Sequence, residues 1–169
     1  MGLPRKLKNF ATFIDGENYM GEMPEVTLPT LTRKLEEYRG GGMNGPIDLD
    51  MGQDKMEAEL KAAGYMKGLM KQWGAAKHDA VMLRFAGALQ TDDSEGVQAV
   101  EVVMRGRLTE RDPGSSKAGD MVEQTFKYSL SYYKEVLDGE TILEIDFVNL
   151  VEKVHGEDRM AQTRTALGI

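Results

Sequence analysis

The sequence predicts a mainly antiparallel β domain, a sandwich or barrel, with one internal helix. Three observations carry this prediction. In "DKMEAELKAA" (54–63), Met56, Ala58, Leu60 and Ala62 alternate strictly with Lys55, Glu57, Glu59 and Lys61. These residues favour a helix by propensity, but a period of two belongs to a strand with one apolar and one charged face. Long runs flank clear turn signals at Thr91–Gly96 and at Asp138-Gly139, as hairpins do. Nineteen glycines stand against five prolines in 169 residues, with few good helical runs.

The elements follow in order. "NFATFID" (9–15) reads as a strand ending in the turn Gly16-Glu17-Asn18, with a short return after it. The first half of "EVTLPTLTRKLEEYR" (25–39) belongs at an edge or bulge, because Pro24 and Pro29 lack backbone donors. "YRGGGMNGPIDLD" (38–50) reads as a mobile hairpin tip, followed by a strand on which Ile47, Leu49 and Met51 alternate. Tyr65, Met66, Leu69, Met70 and Trp73 recur at helical spacing before Gly74 and predict a helix over 65–74, with Trp73, Tyr65, Leu69 and Met70 packed on a sheet. "DAVMLRFAGALQ" and "VQAVEVVMRGRL" form a hairpin, and 112–120 is a loop. The next strand carries Val122, Phe126, Tyr128, Leu130 and Tyr132 on one face and Glu123, Thr125, Lys127, Ser129 and Ser131 on the other. "ETILEIDFVN" pairs back on it, and a short helix is predicted from about Glu157. No composition break divides the chain, so 1–169 is expected to be one domain.

A net charge of −7 with 41% hydrophobic residues fits a soluble globular chain and disfavours tight nucleic-acid binding, which draws on Lys and Arg. No long apolar run suggests a membrane span, and the basic start "MGLPRKLKNF" lacks the apolar stretch of a signal peptide. Without cysteine there are no disulfides or thiolate metal ligands.

Sites of chemistry are hard to assemble from this set. Gly40, Gly42 and Gly45 spell a dinucleotide motif, but Pro46 and a strand follow where a helix N-terminus is needed. Asp48 and Asp50 beyond them would repel a phosphate. Asp48, Asp50, Asp54 and Glu59 resemble a calcium loop but lack its turn glycine and fifth ligand. His78 and His155 lie far apart, no serine sits in a nucleophile elbow, and nothing places Asp92-Asp93 or Glu36-Glu37 in a cleft. Arg5, Lys6 and Lys8 read as a solvated segment, and the twelve methionines as core filling or adaptable interface. No cofactor, metal or enzymatic activity is expected. The two charged faces read most simply as solvated surface.

Four blocks, "TLPTLTRKLEEYRGGGMNGPIDLDMG", "AVEVVMRGRLTERDPGSSKAGD", "YYKEVLDGETILEID" and "VNLVEKVHGEDRMAQTRTALGI", resemble the major tail tube protein of contractile-tailed phages, and through it the tube subunits of R-type bacteriocins. The resemblance runs through nearly the whole chain. It implies two packed antiparallel sheets with a flanking α-helix and a long extended hairpin. Subunits of the family form hexameric rings that stack into a tube, and four strands from each join a continuous lumen β-barrel. At about 4.8 Å between strands and a tilt near 40°, about 24 strands give a backbone diameter of about 45–50 Å.

The resemblance assigns Arg39, Gly40, Gly41, Gly42, Met43, Asn44, Gly45 and Pro46 to the inter-subunit hairpin. Lys55, Glu57, Glu59, Lys61, Glu123, Thr125, Lys127, Ser129 and Ser131 become lumen-facing candidates, and 149–169 the C-terminal segment. The implied partners are other copies of the chain, a sheath protein, a baseplate or tube initiator and a tape measure protein. DNA would transit the lumen without specific binding, within a virion assembled in the host cytoplasm. A bacteriocin tube subunit and a monomeric β-barrel ligand-binding module are the alternatives.

Overall fold

A computed structural model describes residues 2–169. It comprises, in chain order, β1 (Lys6–Ile14), β2 (Glu17–Asn18), β3 (Glu25–Thr27), β4 (Arg33–Tyr38), β5 (Ile47–Gln53), β6 (Met56–Ala63), α1 (Lys67–Met70), β7 (Val81–Gln90), β8 (Val97–Asp112), β9 (Glu123–Leu137), β10 (Glu140–Asp146), β11 (Val151–Val154), β12 (Glu157–Asp158) and α2 (Ala161–Leu167). Two antiparallel sheets result, of very unequal size: ten strands in one, and the β4–β5 hairpin alone in the other.

The large sheet forks on β9. Its N-terminal part pairs with β6 from Glu123↔Ala63 to Leu130↔Met56, and its C-terminal part pairs with β10 from Tyr132↔Asp146 to Leu137↔Glu140. β8 runs along the opposite edge of β9 throughout, and β7 and β1 continue the sheet beyond it. Ile14, Met56, Leu60, Leu83, Val102, Met104, Phe126 and Tyr128 come from five of these strands and share one buried core, so the sheet coils around it. The alternation in β6 is explained directly. Met56, Ala58, Leu60 and Ala62 are all but inaccessible, while the charged residues between them face outward.

Short turns set the register. Asp138 and Gly139 both take positive φ (54° and 82°), as a two-residue type I′ turn requires. The β8–β9 pair carries two irregularities, at Arg105/Gly106 and at Leu108/Glu110. At the first, Arg105 pairs with Tyr132 and Gly106 with Leu130, which leaves Ser131 as an extra residue. Such a bulge bends a strand pair and raises its twist. It also shifts the inward face by one residue, so Tyr133 is buried where the regular period predicts Tyr132.

The helix predicted over 65–74 is shorter than its spacing suggests. α1 is a single turn, Lys67–Met70, and i→i+3 bonds from Gln72 to Leu69 and Trp73 to Met70 carry the chain onward. Met66 and Leu69 are buried and Met70 packs against the core, as its spacing predicts. Tyr65 and Trp73 are 69% and 57% exposed, Tyr65 lying under the Arg111 guanidinium of β8 (5.8 Å) rather than in the core. Polar bonds add to this apolar anchor. Gln72 donates to Asp15 Oδ2 (3.1 Å) and accepts from the Tyr128 hydroxyl (2.9 Å). At the C-terminus the short strand β12 takes up Glu157 and Asp158, and the helix starts at Ala161 rather than near 157. Arg164 ties it down, donating to Asp158 and to the Leu150 carbonyl oxygen (2.6 Å). That guanidinium, followed by the Met160 amide, holds the Asp158 carboxyl below the usual range.

Gly106 fixes the bend. A Cβ there would lie far inside contact distance of the Ser129 carbonyl oxygen, a backbone atom that no side-chain rotation can move away. We therefore expect Gly106→Ala to destabilise the protein by about 1–3 kcal/mol, the usual range for overpacking. Urea denaturation of the variant beside the unaltered protein reads this as a lower midpoint.

Candidate assembly surfaces

Two surface features have a composition that a self-contained domain does not need. The first is the arm formed by β4 and β5. The pairing runs from Tyr38↔Ile47 through Leu35↔Asp50 to Arg33↔Gln53, with a bulge before Arg33. Six residues of extended strand span about 20 Å. β4 and β5 make extensive contact only with each other. Leu35, Tyr38, Ile47, Leu49 and Met51 are 42–55% exposed, and the register puts Tyr38, Ile47 and Leu49 on one face. An isolated two-stranded hairpin is marginal in water, so an arm with bare apolar side chains gains most from covering them against another chain.

The structure places all eight predicted tip residues, Arg39 to Pro46, at the far end of this arm. Of its glycines only Gly42 takes positive φ (83°), while Gly40 lies against the Tyr38 ring. Gly41 and Gly45 have open space around them. The tip is closed by Met43, whose amide donates to the Gly40 carbonyl (3.3 Å) and whose sulfur accepts from the Gly40 amide (3.0 Å). Arg39 Nε donates to the Met43 carbonyl (3.3 Å).

The second feature is a polar ladder on the outer face of β3, β6, β9 and β8. Register aligns its rows. Ser129 lies between Glu57 and Arg107, Lys127 between Glu59 and Glu110, and Thr125 between Lys61 and Asp112. Thr27 continues the second row beyond Glu59, Glu25 continues the third beyond Lys61, and Glu123 sits opposite Ala63. Register brings seven of the nine predicted face residues together, and Lys55, just before β6, joins them through its ion pair with Glu57. Ser131 does not. As the bulge residue it lies past the end of β6 and instead meets His78, Oγ to Nδ1 at 2.8 Å, in a groove with Arg105, Tyr132 and Asp146.

Charge on the ladder is mixed but leans negative. Lys55 pairs with Glu57 (2.8 Å), Lys61 with Glu25 (3.2 Å), and Lys127 reaches Glu110 at 3.9 Å. The Lys55 ammonium holds the Glu57 carboxyl below its ordinary value, and Glu25 raises Lys61. Glu59, Asp112 and Glu123 have no ion-pair partner among the described residues. The sequence pattern had missed the contribution of β8, because bulges break its alternation through "RGRLTERD".

Both sides of the ladder are open. β7 stops pairing with β8 at Val81↔Gly106, so residues 107–112 have β9 on one side and no strand on the other among the described residues. Among the described residues β3 pairs only with β6. Unpaired edges of this kind invite a further strand.

The family model for phage tail tube protein FII matches residues 4–168. The chain belongs to that family. It is 44% identical to the tail tube protein of Escherichia phage P2, over all of both chains. Against the major tail tube protein of Serratia phage KSP20 it is 39% identical, over 94% of this chain and 92% of that one. Among solved structures, the tube-terminating cap of the anti-feeding prophage superposes with a TM-score of 0.62 at 12% identity, covering 80% of this chain and 93% of that chain. A sheath-tube complex of an extracellular contractile injection system gives 0.58 at 12%, over 79% and 90%. At such identities these last two speak for the fold alone.

The calcium-like spacing resolves into other contacts in this tail tube protein. Asp50 accepts from the Gly52 amide (2.8 Å) and from Arg33, and both hold its carboxyl below the usual range. Among the described residues no three His, Asp or Glu side chains are placed to share a metal ion, and no helix is long and apolar enough to cross a membrane. Because the arm face is already solvated, Tyr38→Ser and Leu49→Ser should each change subunit stability by less than about 0.5 kcal/mol, as surface substitutions do. Chemical denaturation of the unassembled subunit checks this.

Proposed function

We propose that this tail tube protein polymerises, as stacked hexameric rings, into the inner tube of a contractile phage tail and so forms the conduit for genome delivery. The ladder with two open edges is the observation that carries this reading. Residues 107–112 of one copy pair with β3 of the next, and six copies of a four-stranded segment close a barrel of about 24 strands. Closure removes both open edges of the ladder. The outward polar face of each monomer then becomes the lumen wall. A backbone diameter of about 45–50 Å leaves room for a DNA duplex.

Glu59, Asp112 and Glu123 give that wall its unpaired negative charge, which keeps a polyanion from adhering as it moves. The arm links one ring to the next by covering Tyr38, Ile47 and Leu49 against a neighbour. A sheath outside, a baseplate or initiator at one end and a tape measure protein inside are the partners such a tube requires. Identical stacked subunits have no intrinsic stopping point.

Two experiments test this. Shortening the loop Gly40–Gly45 should leave the subunit folded and block stacking, read by sedimentation and electron microscopy. Tubes of normal length from that variant would remove the arm from assembly. Reversing Glu57, Glu59 and Glu123 to Lys should permit tubes but slow DNA ejection, more so at low salt where charge is least screened. Unchanged ejection kinetics at every salt concentration would take these residues out of the lumen.

A further inference from the structure

We infer that Arg33 is the positioning residue of the arm, fixing its direction before assembly by joining Asp50 of the arm to Glu152 of the body. Its guanidinium is divided between two carboxylates from distant parts of the chain. Nε donates to Asp50 Oδ1 and Oδ2 (3.2 and 3.0 Å) and Nη2 to Asp50 Oδ1 (3.0 Å). Nη1 donates to Glu152 Oε1 and Oε2 (2.8 and 2.9 Å). Glu152 belongs to β11, which is paired on both sides, with β10 and β12. Among the described residues no other side-chain hydrogen bond or ion pair runs from β4 or β5 to the body. Beside this link a small cavity separates the arm root from the β10–β11 connection, lined by Gly52, Gln53, Ile145, Phe147, Leu150 and Met160. Beside this cavity the ion link is the one directional side-chain contact that sets how the arm leaves the body.

Chemistry and leverage both favour this role. A planar guanidinium can serve two carboxylates in fixed directions, which a lysine ammonium on a flexible stem cannot. Partly exposed ion pairs add little to global stability, so the link has little effect on whether the chain folds. Its effect is angular. A tilt of about 10° at the root moves the end of a strand about 20 Å long by about 3–4 Å, enough to break the hydrogen bonds an incoming neighbour would make.

The inference rests on the arm-mediated stacking proposed above, and the test separates the two. Arg33→Lys, Arg33→Ala and Glu152→Gln subunits are compared with the unaltered protein in two measurements: amide hydrogen exchange of the free subunit, and elongation from preformed tube fragments followed by light scattering. We expect unchanged urea midpoints, faster exchange confined to residues near 32–35 and 50–54, and elongation slowed about three- to tenfold by loss of a charge-assisted bidentate pair. Raising salt should slow the unaltered protein toward the variants and affect the variants less. Glu152→Gln keeps the side chain's shape, so it remains informative should Arg33→Ala fold poorly. Unaltered elongation and exchange in Arg33→Lys and Glu152→Gln, with the Gly40–Gly45 deletion still blocking growth, would overturn the positioning role alone. Normal growth of the deletion variant as well would overturn the arm reading and this inference with it.

Discussion

The pairing of β8 with β9, bent at Gly106, is the interaction on which the rest depends. Above the bend these strands lie within a broad sheet with β7, β1 and β10 as neighbours. Below it β7 and β10 are gone, and β6 and β3 complete a four-stranded segment with a charged outer face. Both parts bury their inner side chains in one core, from Met104 and Tyr133 above to Phe126 and Tyr128 below. A straight β8–β9 pair could not close around that core. The small residue at 106 and the extra residue at 131 are what let one ladder serve two sheet surfaces.

The core and the candidate assembly surfaces are separated in space by this arrangement. The core takes the large apolar side chains of the long strands, and hydrophobic burial there is the main favourable term in folding. The arm takes almost none of that benefit. Tyr38, Ile47 and Leu49 stay half-exposed, and among the described residues the Arg33 guanidinium makes the one side-chain polar link from the hairpin to the body. The open edges of β3 and β8 likewise leave backbone groups to water in a single copy. In the assembly proposed above, free energy not realised within one copy is available to contacts between copies.

Much of this was legible in the residues. The alternation in 54–63 outweighed helical propensity because burial of one face decides the state of an amphipathic segment. The Asp138-Gly139 turn and the polar turn at 91–96 marked two hairpins correctly, and Pro24 and Pro29 placed β3 at an edge. What escaped were effects with no local signature. The bulge at Ser131 inverts the inward face of β9, so Tyr132 was exchanged for Tyr133 and Ser131 was grouped with a face it leaves. Helical spacing over 65–74 reported which residues could share a stripe, but only Met66, Leu69 and Met70 of it pack against the core, and Tyr65 and Trp73 stay exposed. The tie between Arg33 and Glu152 joins residues 119 positions apart and has no motif.

A cryo-electron microscopy map of the assembled polymer is the most direct test of the central claim that open-edged ladders close into a lumen barrel. The expected map has residues 107–112 of each copy hydrogen-bonded to β3 of its neighbour, Glu59 and Glu123 facing the channel, and each arm seated on an adjacent subunit. A polymer whose channel is lined by other strands, or a protein that stays monomeric even with a nucleating baseplate present, would contradict it.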